Sequence, residues 1–167
     1  MVTVSGPDQP GITAAFSKIL VDNHVEIVDI EQASLQDFLG LSFLLDMSGA
    51  KQSKDGVLKD LLFEASRLHL TLNFRLFSEK EMKARNSKNL FILTYFGDTL
   101  ALAEISNILA EENANIQMIS NLTRHCASCV ELTIDVNEVK NLSQLKARVI
   151  AKSHELNIDL ALQKMEA

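Results

Sequence analysis

Hydrophobic positions along the chain switch between two spacings, and the order of the switches outlines the fold. Val2 and Val4 open an apolar run that ends in the turn Gly6-Pro7-Asp8-Gln9-Pro10-Gly11. Ile12, Phe16, Ile19 and Leu20 then fall at i, i+4, i+7 and i+8, one stripe of a helix ending near Asn23. Val25, Ile27, Ile30 and Leu35 mark an extended segment whose alternation slips between Ile27 and Ile30, as at a bulge. Leu39, Leu41, Phe43, Leu45 and Met47 alternate strictly, so a hairpin is expected at Gln36-Asp37. After a polar loop over 48–55, Val57, Leu58, Leu61, Leu62, Ala65 and Leu68 return to helical spacing. Leu70, Leu72, Phe74 and Leu76 return to strand spacing. The order is βαββαβ.

Residues 78–88 (SEKEMKARNSK) carry six charged side chains and almost nothing apolar, which predicts a solvated linker with a boundary near residue 83. Beyond it the pattern restarts. Ile105, Leu109, Ile116 and Ile119 each stand 89 positions after Phe16, Leu20, Ile27 and Ile30, so one gapless register superimposes helix and strand on their earlier counterparts. Phe91, Leu93 and Tyr95 supply the opening strand. Val130, Leu132, Ile134 and Val136 then alternate, Leu142, Leu145 and Val149 mark a helix, and Leu156, Ile158, Leu160 and Leu162 a final strand. The chain is therefore expected to be α+β, with two ferredoxin-like βαββαβ units over 1–78 and 89–167 joined by a linker over 79–88. Bare apolar sheet faces and open edges would need cover, which predicts a homodimer.

Charge narrows the partners. A formal net charge of −6 and a pI near 5.2 oppose phosphate-backbone or anionic-membrane attraction, so neither nucleic acid nor membrane is expected. No apolar run reaches the roughly 20 residues of a membrane span, no secretory leader pattern opens the chain, and two cysteines are too few for a disulfide framework. These observations predict a cytoplasmic protein.

The first turn is the main chemical feature. Gly6 can take positive φ where the strand ends, Asp8 can cap the helix, Pro10 suits its first turn, and Gly11 leaves bare backbone beside the free N–H groups. Such a helix start suits a carboxylate, although the same residues would also serve an ordinary capped entry. With Gly11 in the first helical turn, Gly11→Ala should leave stability unchanged or raise it. Elsewhere the inventory is thin. No D-x-D occurs, which excludes a complete aspartyl-phosphate phosphatase site, and no metal or catalytic set is expected. The lone C-x-x-C of Cys126 and Cys129 falls in an expected hairpin with no second pair for zinc. His24, His69 and His154 are scattered, and Phe43, Phe91 and Tyr95 are too few for an RNA-binding sheet.

The run SGPDQPGIT, followed by Asn23-His24-Val25-Glu26-Ile27 and Asp29-Ile30-Glu31-Gln32, resembles the first ACT domain of bacterial phosphoserine phosphatases. The second unit, with Phe96-Gly97-Asp98 before its helix and Asn115-Ile116 opening a strand, is similar to that family's second ACT domain. Asp159-Leu160-Ala161-Leu162-Gln163 resembles the segment leading into the phosphatase domain. The resemblance implies a non-catalytic regulatory module that binds a small amino acid, L-serine, between strand–helix loops, with magnesium needed only by a catalytic domain absent from this chain. Asp8 would face the ligand's ammonium, and Gly11, Ile12 and Thr13 its carboxylate or side-chain oxygen. Gly97 and Asp98 would contribute from the second unit. The alternative is a free-standing tandem ACT regulator resembling the glycine-cleavage repressor proteins, acting by protein contact.

Overall fold

The computed structural model describes residues 1–77, 89–122 and 129–165. The chain divides into two compact units, Met1–Lys83 and Ala84–Ala167, and the expected linker over 79–88 lies outside the described residues.

In the first unit β1 (Val2–Pro7), α1 (Ile12–Asp22), β2 (Glu26–Leu35), β3 (Phe38–Asp46), α2 (Lys54–Arg67) and β4 (Thr71–Phe74) follow in the expected order. The strands form one antiparallel sheet in the order β2-β3-β1-β4. The alternation explains why. Val2 and Val4 pair with Phe43 and Leu41, and all four are buried on one face beneath Phe16, Leu20, Val57 and Leu61 of the helices. Fully burying such side chains contributes roughly 1.5–3 kcal/mol each. The Phe16 and Phe43 rings stack with centroids 6.5 Å apart.

The second unit repeats the plan with β5 (Leu90–Phe96), α3 (Thr99–Glu111), β6 (Asn115–Asn121), β7 (Cys129–Asp135), α4 (Leu142–Leu156) and β8 (Leu160–Lys164), in the sheet order β6-β7-β5-β8. Its core redistributes volume. Ile105 stands where the first unit has Phe16, and the cross-strand pair Val2–Phe43 of the first sheet is matched by Phe91–Ile134 in the second, so the large ring changes strands. The bulge expected in the third element is present, between Ile27 and Asp29, and recurs between Ile116 and Met118.

The four described helices end alike. His24, His69, Asn113 and Asn157 each adopt a left-handed conformation (φ 55°, 57°, 59° and 52°) just past a helix. The next amide bonds back to a carbonyl five residues earlier: Val25 to Leu20 at 2.9 Å, Leu70 to Ala65 at 2.8 Å, Ala114 to Leu109 at 2.8 Å and Ile158 to Ser153 at 2.9 Å. Each is a Schellman ending built without glycine, its apolar residue turned back toward the core. The histidines His24 and His69 thus serve turns.

Two expectations need correcting. Leu156 closes α4 and β8 begins at Leu160, because helical spacing continues through Val149, Ser153 and Leu156 before Asn157 ends it. The face of the first sheet turned away from the helices is polar: Thr3, Ser5, Ser42, Thr71 and Asn73 line it, and the Thr3 and Ser42 hydroxyls lie 3.2 Å apart. The apolar surface that calls for cover lies on the edge strand β2 and its hairpin, where Val28, Ile30, Leu35 and Phe38 are all exposed. No described helix is long and apolar enough to cross a membrane.

Candidate functional site

The sharp entry into α1 is made by its glycines. Gly6 ends the buried side of β1 at φ 155°, and a Cβ there would lie 2.7 Å from Leu70 Cδ2, so the strand passes close beneath the α2–β4 connection. Gly11 is the N-cap, at φ 96° and ψ −8°, and a Cβ there would meet nothing within 4 Å. This corrects the sequence expectation: Gly11 precedes the first helical turn, and so does Pro10, because the chain needs a left-handed residue to swing from the turn into α1.

Asp8 is not the helix cap either. Its carboxylate accepts a hydrogen bond from the Ser34 hydroxyl at 2.5 Å, and no side chain caps α1. The turn is held instead by its flanks: the Asp8 amide donates to the Asp37 carbonyl at 2.9 Å and Gln9 Nε2 to the Leu68 carbonyl at 3.3 Å. Thr13, in the first turn of α1, donates its hydroxyl to Gln32 Oε1 at 2.6 Å.

Asp8, Gly11, Ile12 and Thr13 are therefore brought together. With Gln9, Pro10, Ala14, Gln32 and Leu39 they line a shallow cavity of about 470 Å3 in the first unit. Its lining combines the first residues of α1, whose leading amides lack a side-chain acceptor and sit at the positive end of the helix dipole, with the acidic Asp8. The arrangement is complementary to a small zwitterion. Sequence reasoning missed Gln32 and Ser34 as site residues; their signal was two polar positions at the alternating spacing of the apolar Ile30.

Gly97 and Asp98 stand in the second unit, before α3. Asp98 is the N-cap of that helix, with Oδ1 accepting from the Ala101 amide at 3.1 Å. Of the C-x-x-C, Cys126 lies outside the described residues and Cys129 is buried in β7. Among the described residues no group of three or more His, Cys, Asp or Glu is arranged to hold a metal ion.

Models of the ACT domain match residues 1–75 and 92–163. A UPF0237 protein of Neisseria meningitidis is 37% identical over 84 residues, covering 50% of this chain and 91% of that protein. Phosphoserine phosphatase SerB2 of Mycobacterium tuberculosis is 24% identical over 173 residues, covering 98% of this chain and 40% of the phosphatase. Among solved structures, that of a candidate glycine cleavage system transcriptional repressor superimposes with a TM-score of 0.74 at 18% identity, covering 99% of this chain and 96% of that one.

Proposed function

The chain belongs to the ACT-domain family, with two copies in tandem, and from that premise we propose that it is a regulatory module whose first domain binds a small free amino acid, L-serine foremost. The observation that carries this reading is the uncapped start of α1 sharing one open cavity with Asp8 and the left-handed Gly11. The amides of residues 12–14 would receive the ligand's carboxylate, Asp8 its ammonium, and the Thr13–Gln32 pair the side-chain hydroxyl. Main-chain donors recognise what all amino acids share, so discrimination among them rests on Thr13, Gln32 and the space beside Leu39.

The alignment with SerB2 spans nearly this whole chain and under half of the phosphatase, which favours a regulatory role toward phosphoserine-phosphatase chemistry carried elsewhere. A cytoplasmic homodimer formed through the exposed β2 edge would cover Val28, Ile30 and Leu35.

Calorimetric titration of the full chain with L-serine, glycine and L-alanine tests the reading. Serine should bind, and Asp8→Asn and Thr13→Val should each weaken it by about tenfold or more, near 1.4 kcal/mol. Absence of binding by any of the three amino acids would reduce the turn to a helix entry.

A further inference from the structure

The 89-residue register aligns the two strand–helix turns residue for residue, and they differ at most of the positions that line the cavity, Ala14 and Ala103 being alike. Gly6 corresponds to Tyr95, Asp8 to Gly97, Gly11 to Leu100, Thr13 to Leu102 and Gln32 to Asn121. Ile12 and Ala101 correspond and are each 2% exposed, which confirms the alignment. The two helices nevertheless begin differently. α1 starts at Ile12, whereas α3 starts at Thr99, so α3 has two extra residues at its N-terminal end, where the first unit has Pro10 and Gly11.

Packing behind the turn differs as much. Where the first unit has Asp8, a Cβ built on Gly97 would lie 2.8 Å from Ala101 Cβ and 3.2 Å from Tyr95 Cδ2, so that position has no room for a side chain. The Tyr95 ring is fully buried against that backbone, and its hydroxyl has no hydrogen-bond partner. Asp98, meanwhile, places its own carboxylate on the leading amides of α3, the kind of contact that an outside carboxylate would make at α1.

The geometry points to a division of labour: the second ACT domain is closed by its own residues, with Asp98 acting as a built-in ligand, so the chain takes one amino acid, in the first domain. This rests on the ligand reading given above for the first turn. The longer α3 takes the place of the Pro10–Gly11 turn, Leu102 replaces the hydroxyl of Thr13, and Gly97, packed against Tyr95, and Asp98 serve their own helix. The second domain then holds one conformation with or without ligand, and any response to the amino acid originates in the first.

Titration of the isotope-labelled full chain with L-serine, followed by amide NMR and calorimetry, tests this. The amides of residues 12–14 should shift, those of 100–102 should not, and the stoichiometry should be one per chain. Asp98→Ala and the milder Asp98→Asn should leave serine affinity within about twofold of the parent, while Asp98→Ala lowers the melting temperature by loss of the cap. Shifts in both turns with a stoichiometry of two, or a loss of about tenfold or more in affinity in both Asp98 variants, would overturn the proposal and leave the ligand reading standing. Silence at both turns would overturn the two together.

Discussion

Replacing Gly11 by Ala separates the backbone requirement of this turn from everything around it. At φ 96° and ψ −8°, with no atom within 4 Å of the added Cβ, the substitution brings no clash and no lost contact. Its cost is conformational. An L-residue held in a left-handed conformation loses about 1–2 kcal/mol, and Ala is also a poorer N-cap than Gly. Against this, the stiffer unfolded chain returns about 0.4–1 kcal/mol. The expected net loss is about 1 kcal/mol. For a unit the size of Met1–Lys83 that lowers the melting temperature by roughly 4–8 °C. Because the chain has two units, a bulk melting curve can mix two transitions, so native-state amide exchange on the α1 amides is the cleaner assay. Gly11→Asn is the control, since Asn tolerates left-handed geometry and should lose much less. A Gly11→Ala protein as stable as the parent, or more stable, would refute the argument and mean that Gly11 is not held left-handed.

Tyr95→Phe deletes a buried hydroxyl that has no partner, so stability should hold or rise by about 1 kcal/mol. The same side chain predicts an alkaline effect: burial, and then the charge of Asp98, raise the phenol above its ordinary value, so the unfolded chain ionises first and the protein loses stability as pH climbs from about 10 through the folded value. As Tyr95 is the sole tyrosine and there is no tryptophan, phenolate absorbance reports it directly, and the excess alkaline loss should vanish in Tyr95→Phe. His24→Gly relieves an exposed left-handed residue at a Schellman ending and should stabilise the protein by roughly 0.5–1 kcal/mol in chemical denaturation, whereas Asn113→Gly, replacing a residue that tolerates this geometry, should gain much less; a loss of stability in His24→Gly would mean that the side chain contributes more than the backbone costs.

Periodicity carried most of the architecture because each apolar stripe and each alternation answers to one buried face. The slip at Ile27 marked a bulge, and the 89-residue register marked the repeat. What resisted reading was conformation decided by neighbours. Asp8 has the chemistry of a helix cap, but Ser34, 26 positions away, claims its carboxylate, and that contact exists only once the β2–β3 hairpin has folded back. Gly11 could be helical or left-handed on sequence grounds; the angle between β1 and α1 decides, and it is a tertiary property. The polar outer face of the first sheet was written plainly in Thr3, Ser5, Ser42, Thr71 and Asn73, but it is recognisable as a face only when the strand order is known.

The bulge in β2 also bears on which strands can be zipped onto that edge. Ten residues of exposed edge, five of them apolar, would ordinarily template any extended segment that drifts against it. The extra residue between Ile27 and Asp29 breaks the even spacing of the outward N–H and C=O groups and sharpens the local twist. A straight foreign strand can pair on one side of that step or the other, but continuing through it leaves a backbone group without a mate. A strand with the matching irregularity can run the full length, and this chain has such strands, β2 and its counterpart β6. The bulge therefore limits how far a regular strand can pair along this edge.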